Sequence, residues 1–153
     1  MNTQANIGLQ PGSQGSHIWP QPTAPSTNIF YAGDADTNTG VFVSAILARP
    51  EVSTPAKIAF VFTEQGPYMD YLQAWIDVTG RRATYVQVSQ LDYEALWGKE
   101  FGEEMSLGLN VSEVESDWTA AHKGEVVTAK ELGIERWELI GLRETLERER
   151  RRL

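Results

Sequence analysis

The run "KIAFVF", residues 57–62, limits this chain more than any other stretch. It is short and almost wholly apolar, which suits a strand covered on both faces, as in a parallel sheet. Thr63 and Pro67 follow and set up a helix start. Tyr68, Tyr71, Leu72, Trp75 and Ile76 then recur at helical spacing, and Gly80 ends the run. "RATYVQVS", residues 82–89, alternates as a second strand.

The pattern repeats upstream. "NIFYA", 28–32, reads as a strand, and Asp36 or Thr37 can cap a helix that runs to Ala48, with Pro50 just beyond it. Residues 1–27 hold Pro11, Pro20, Pro22 and Pro25 among Gln, Gly and Ser, and read as a loop or arm. Downstream, Ser89 caps a short helix broken at Gly98, and residues 99–109 look helical. "SEVE" (112–115) and "TAKE" (128–131) fit capping boxes, the first opening a helix through His122 and the second one that ends at Gly133. A last helix spans about 141–152. The expectation is an α/β fold: a small sheet of about three strands, flanking helices, and an α-helical C-terminal region. The arm is expected over 1–27 and the domain over 28–153.

At 153 residues the chain suits one domain, which buries roughly 70% of its unfolded surface. There is no cysteine, so thiolate catalysis and Cys-ligated zinc are excluded. The net charge of −8 disfavours nucleic acid as a partner. Between Asp92 and Asp117 eight acidic residues face one base, Lys99, whereas the last eleven residues hold five arginines. Two readings stand: solvated helix faces, or cross-subunit pairing of the two stretches. No apolar run approaches about 18 residues, so no membrane span is expected. The N-terminus does not fit a secretory signal, and a cytoplasmic location is expected.

His17 and His122 are the only histidines, too few for a three-histidine metal site; no metal and no cofactor are expected. His122 reads either as a histidine at a helix C-terminus or as a general acid/base facing a pocket with Trp118, one turn before it. His17, beside Trp19, could do similar work. Asp34 and Asp36 read as turn and capping residues, or as a carboxylate base raised in pKa by Phe30 and Tyr31. The candidate catalytic set is therefore His122, His17, Asp34, Asp36 and Tyr31. Five tryptophans are many for this length, and Trp19, Trp97 and Trp118 fall at loop or helix edges, where an apolar pocket would be lined. Phe30 and Phe101 complete the candidate substrate-binding set.

The phrases "GDADTNTGVFVSAILARPE", "KIAFVFTEQGPYMDYLQAWIDVTGRRATYVQVS" and "DYEALWGKEFGEEM" resemble the C-terminal half of NmrA-like proteins, atypical members of the short-chain dehydrogenase/reductase superfamily. The resemblance covers about residues 28–146. It implies a substrate-binding domain that, in the family, accompanies a Rossmann half holding NAD(P). A pyrophosphate needs a glycine-rich strand-to-helix turn. No such motif occurs here: "GLQPGSQG" has no strand before it and prolines after it. The Tyr-x-x-x-Lys pair of the superfamily is missing as well. The resemblance thus implies a truncated, cofactor-independent member that binds a hydrophobic small molecule. Isomerisation, dehydration or cyclisation of a natural-product intermediate in an aromatic-lined pocket would suit it. The other readings are a non-catalytic binding or regulatory module, and a split half that completes a separate NADP-binding chain. Apolar faces that the Rossmann half would cover imply a homodimer or larger assembly, or else a partner protein.

Overall fold

The computed structural model describes residues 8–54, 57–115 and 117–150. The chain divides into two compact units, one of Met1–Ile29, Gly66–Ser116 and Leu146–Leu153, the other of Phe30–Gln65 and Asp117–Thr145. Helices flank three small sheets, in keeping with an α/β chain.

The first unit is organised by a segment that composition alone reads as an arm. Strand β1 (Gln10–Pro11) runs antiparallel to β2 (His17–Gln21), and β2 runs parallel to β6 (Ala83–Gln87), so β2 is central. A proline in a central strand is unusual because it cannot donate to the ladder. The register explains Pro20. The His17 N–H donates to the Arg82 carbonyl, and the Gln21 carbonyl accepts from the Val88 N–H. Odd-numbered residues of β2 therefore bond toward β6, and Pro20 points its missing donor to the other side. There β1 reaches only as far as Ile18, so no hydrogen bond is forfeited.

Helix α3 (Tyr68–Thr79) starts after Pro67 and ends at Gly80, which takes φ +70°, as expected from the sequence. It lays Tyr68, Tyr71, Leu72, Trp75 and Val78 into the core. Trp19, 1% exposed, meets the rings of Tyr68, Tyr71 and Tyr85 at 5.4–5.7 Å. Each large apolar side chain buried this fully contributes about 1.5–3 kcal/mol. Helix α4 (Gln90–Trp97) is capped by Ser89, whose Oγ accepts the Asp92 N–H at 3.1 Å. Helix α5 (Lys99–Val114) lies so close to it that a Cβ at Gly102 would meet the Glu94 backbone. The "SEVE" stretch does not open a new helix, because α5 runs on through Ser112 with no breaker in between.

In the second unit, α1 (Ala35–Ala48) and α2 (Pro50–Ser53) precede β4 (Ile58–Ala59). The cap of α1 is Asp34, not Asp36 or Thr37: the Thr37 N–H donates to Asp34 Oδ1 at 3.1 Å. Of the expected strand 57–62, only Ile58 and Ala59 keep ladder geometry, parallel to β7 (Val126–Val127). Phe42, Val127, Leu132, Ile134 and Leu139 form the closed core. "TAKE" makes its capping bonds, with Glu131 Oε2 accepting the Thr128 N–H at 2.8 Å and the Thr128 hydroxyl at 2.9 Å, but the chain turns there instead of forming a helix. Those two bonds hold the Glu131 carboxyl below the ordinary carboxylate range.

Asn38 is fully buried and ties α1 to residue 140. Its Nδ2 donates to the Ala32 carbonyl (2.8 Å) and the Ile140 carbonyl (2.9 Å), and its Oδ1 accepts the Ile140 N–H (2.9 Å). The Ile140 carbonyl also accepts the Asp34 N–H. Gly33, at φ +63°, passes so close that a Cβ there would collide with that carbonyl.

Strand β3 (Asn28–Tyr31) pairs with β5 (Glu64–Pro67), which the sequence reading did not anticipate. Helix α7 spans Leu142–Glu149, with Leu142 and Leu146 buried as expected. Residues 151 and 152 of the expected 141–152 helix lie outside the described residues. Among the described residues, no helix is long and apolar enough to cross a membrane.

Candidate functional site

The site begins with the pairing of β4 and β7. Ile58 donates its N–H to the Glu125 carbonyl and Phe60 donates to the Val127 carbonyl. This register carries Phe60 to the turn that follows α6 (Trp118–Ala121). Asp117 caps the start of α6: its Oδ1 accepts from the Thr119 hydroxyl at 2.7 Å and the Ala120 N–H at 3.0 Å. The Thr119 hydroxyl and then the Ala120 N–H hold the Asp117 carboxyl below its ordinary range.

One turn of helix sets Trp118 and His122 on the same side, with ring centroids 4.5 Å apart. Trp118 meets Phe60 at 4.9 Å. Phe60 meets Phe30 at 4.8 Å, and Phe30 meets Phe62 at 4.9 Å. Phe60 and Phe62, two residues apart in extended chain, share one side. All five rings are only half-buried, outside the closed core of the unit. At the open end, His122 Nδ1 lies 3.4 Å from Glu125 Oε2, with the imidazole side chain 36% exposed. The result is a continuous accessible aromatic surface that ends in a histidine–carboxylate pair.

Three of the sequence candidates, Phe30, Trp118 and His122, meet here. Tyr31, next to Phe30, points the opposite way and is buried, and its carbonyl accepts both the N–H and the hydroxyl of Thr63. Asp34 is occupied as the cap of α1, and Asp36 is exposed in its first turn. Both act as the capping reading has it. The remaining candidates belong to the first unit. Trp19 fills the core instead of lining a pocket edge. His17 packs edge-on against Trp75 at 5.0 Å. Trp97 sits 6.2 Å from Tyr93, and Phe101 is exposed on α5. Among the described residues His17 Nδ1 and the indole nitrogens of Trp19, Trp75 and Trp97 are buried without a hydrogen-bond partner.

The sequence reading missed Phe60, Phe62 and Glu125. The two phenylalanines sit in a run read as a strand covered on both faces, so neither was offered to a ligand. Glu125 carried a signal in its spacing, three residues after His122. No group of three or more His, Asp or Glu among the described residues is placed to hold a metal ion.

Neither a protein-family model nor a curated protein matches this sequence.

Proposed function

We propose that this protein binds an apolar, planar small molecule on the Phe30–Phe60–Phe62–Trp118 surface and that His122 moves a proton to or from it. The observation that carries this reading is the half-buried aromatic run terminating in His122 and Glu125. Rings packed this closely belong in a core unless something else covers them. A carboxylate on Nδ1 favours the tautomer with its lone pair on Nε2, the arrangement of a general base. The chemistry is that of an isomerase, dehydratase or cyclase acting on a hydrophobic natural-product intermediate without NAD(P). The quoted likeness to NmrA-like substrate-binding domains supports the small-molecule class. Exposed Val43 and Leu47 on α1 support a homodimer. A cytoplasmic location goes with the same reading.

The test uses 5-nitrobenzisoxazole, a planar carbon acid. A base removes its ring C–H proton while the N–O bond breaks, giving a cyanophenolate. The chain accelerates this reaction over buffer. His122→Gln removes at least tenfold of the rate, Glu125→Gln lowers the rate by severalfold, and Trp118→Ala raises KM. An unchanged rate in His122→Gln would overturn the proposal. The 3.4 Å separation of His122 and Glu125 is long for a charge-assisted bond. It favours a second reading, a non-catalytic binding module, in which Trp118→Ala abolishes binding of the same compound although no variant or wild-type chain turns it over.

A further inference from the structure

Helix α5 carries an apolar stripe on its exposed side. Its inward side holds Gly102 and Ser106, which are buried, and Leu109, which is half-buried. Glu113, exposed near the end of the helix, accepts the Ala24 N–H (2.7 Å) and the Thr27 hydroxyl (3.1 Å) at Oε1. The outward face, at i, i+4 and i+7, holds Leu107, Val111 and Val114, which are 58%, 50% and 90% exposed. A surface helix ordinarily keeps its outward side polar. Scattered exposed leucines are common, but three apolar residues aligned in one exposed stripe mark a contact surface. Glu100, Glu103 and Glu104, all exposed, border the stripe on the outer side of the preceding turns.

We propose that the outward face of α5 docks a basic amphipathic helix of a partner protein. The apolar stripe takes the apolar side of that helix, and the glutamates take its lysines or arginines. The acidic border selects a basic occupant. The chain's own arginine-bearing helix, α7, buries its apolar side, Leu142 and Leu146, so a second copy does not offer it. A second copy of α5 laid antiparallel over Val111 would bring Glu104 of each copy to the carboxyl end of the other helix, where the negative end of the dipole repels it. An anionic bilayer is repelled for the same reason. This inference uses residues apart from His122 and its aromatic run, so the two stand or fall separately.

The experiment titrates the whole chain with a helical leucine–lysine peptide roughly 14 residues long, and with its leucine–glutamate counterpart of identical pattern. The lysine peptide binds at least tenfold tighter than the glutamate peptide. The double variant Leu107→Glu/Val111→Glu adds two negative charges yet lowers affinity for the lysine peptide at least tenfold. Attraction by charge alone predicts the opposite, so equal or tighter binding by that variant would overturn the proposal. If circular dichroism shows that the glutamate variant has lost helix, Leu107→Gln/Val111→Gln decides instead, and the same tenfold loss is expected. A self-associated chain in sedimentation velocity that the Leu107→Glu/Val111→Glu change dissociates would also overturn it, since a second copy would then be the occupant.

Discussion

Asn38 offers the sharpest quantitative test of the fold. Asn38→Ala removes three hydrogen bonds of 2.8–2.9 Å at a side chain with no exposure. The Ile140 N–H is left without its acceptor, which costs about 1–3 kcal/mol for a buried donor. The Ala32 and Ile140 carbonyls each lose one donor, about 0.5–1.5 kcal/mol apiece. The Ile140 carbonyl keeps the Asp34 N–H, which puts its share at the low end. The sum is roughly 2–5 kcal/mol, large for one substitution. For a chain of this size it corresponds to a fall in Tm of about 4–20 °C. Urea unfolding followed by circular dichroism measures it. Asn38→Asp adds a check of sign. It keeps an acceptor for the Ile140 N–H but turns a carboxylate oxygen toward two carbonyls, which raises its pKa in the folded state. Stability conferred by a raised carboxyl is present at low pH and lost as pH rises through the folded value. The Asp variant therefore gains stability on Asn38→Ala as the pH is lowered from about 7 toward 4. A loss below about 1 kcal/mol in Asn38→Ala, or a flat pH profile in Asn38→Asp, would refute the account of Asn38 as the clamp on residue 140.

Gly33→Ala should be worse than an ordinary surface change, by about 2–4 kcal/mol, because the new methyl meets the Ile140 carbonyl and φ is positive; full wild-type Tm in that variant would show that the close approach is relaxed at no cost. Burial, and secondarily Glu149, pushes the Tyr71 hydroxyl above the ordinary tyrosine range. The folded state holds that proton when the unfolded chain releases it, so its stabilisation is whole below about pH 10 and declines as pH rises beyond it. Tyr71→Phe should flatten the alkaline loss of stability by up to about 1.4 kcal/mol per pH unit, and denaturant melts above roughly pH 10 that stay parallel in the two proteins would contradict this.

The elements that carry strong local signals were legible in the sequence. Helix α3 has a proline start, a periodic apolar face and a glycine that must take positive φ, and α4 has a serine cap; local chemistry decides both. The capping pairs at 112–115 and 128–131 show the limit of such signals. Glu131 makes its bonds within a turn, whereas Ser112 lies inside a helix already under way. Strand β2 was illegible because its composition is that of a loop and its pairing partner lies more than sixty residues away, with Ala83 opposite His17. The same is true of the site. Trp118 and His122 are neighbours in sequence and were found together, as their spacing demands. Phe60 and Phe62 join them only through the β4–β7 ladder, a non-local pairing that periodicity does not report.

The placement of Pro20 has a last consequence. Beyond Ile18 the flank of β2 that β1 vacates offers an incoming extended chain a position that cannot donate, which discourages the sheet from templating further growth there. Any additional strand joins this sheet alongside Ala83–Gln87, the edge where the N–H groups of Ala83, Tyr85 and Gln87 face outward. Aggregation of this protein through that edge should be suppressed by Gln87→Pro, which removes an outward donor at an exposed position.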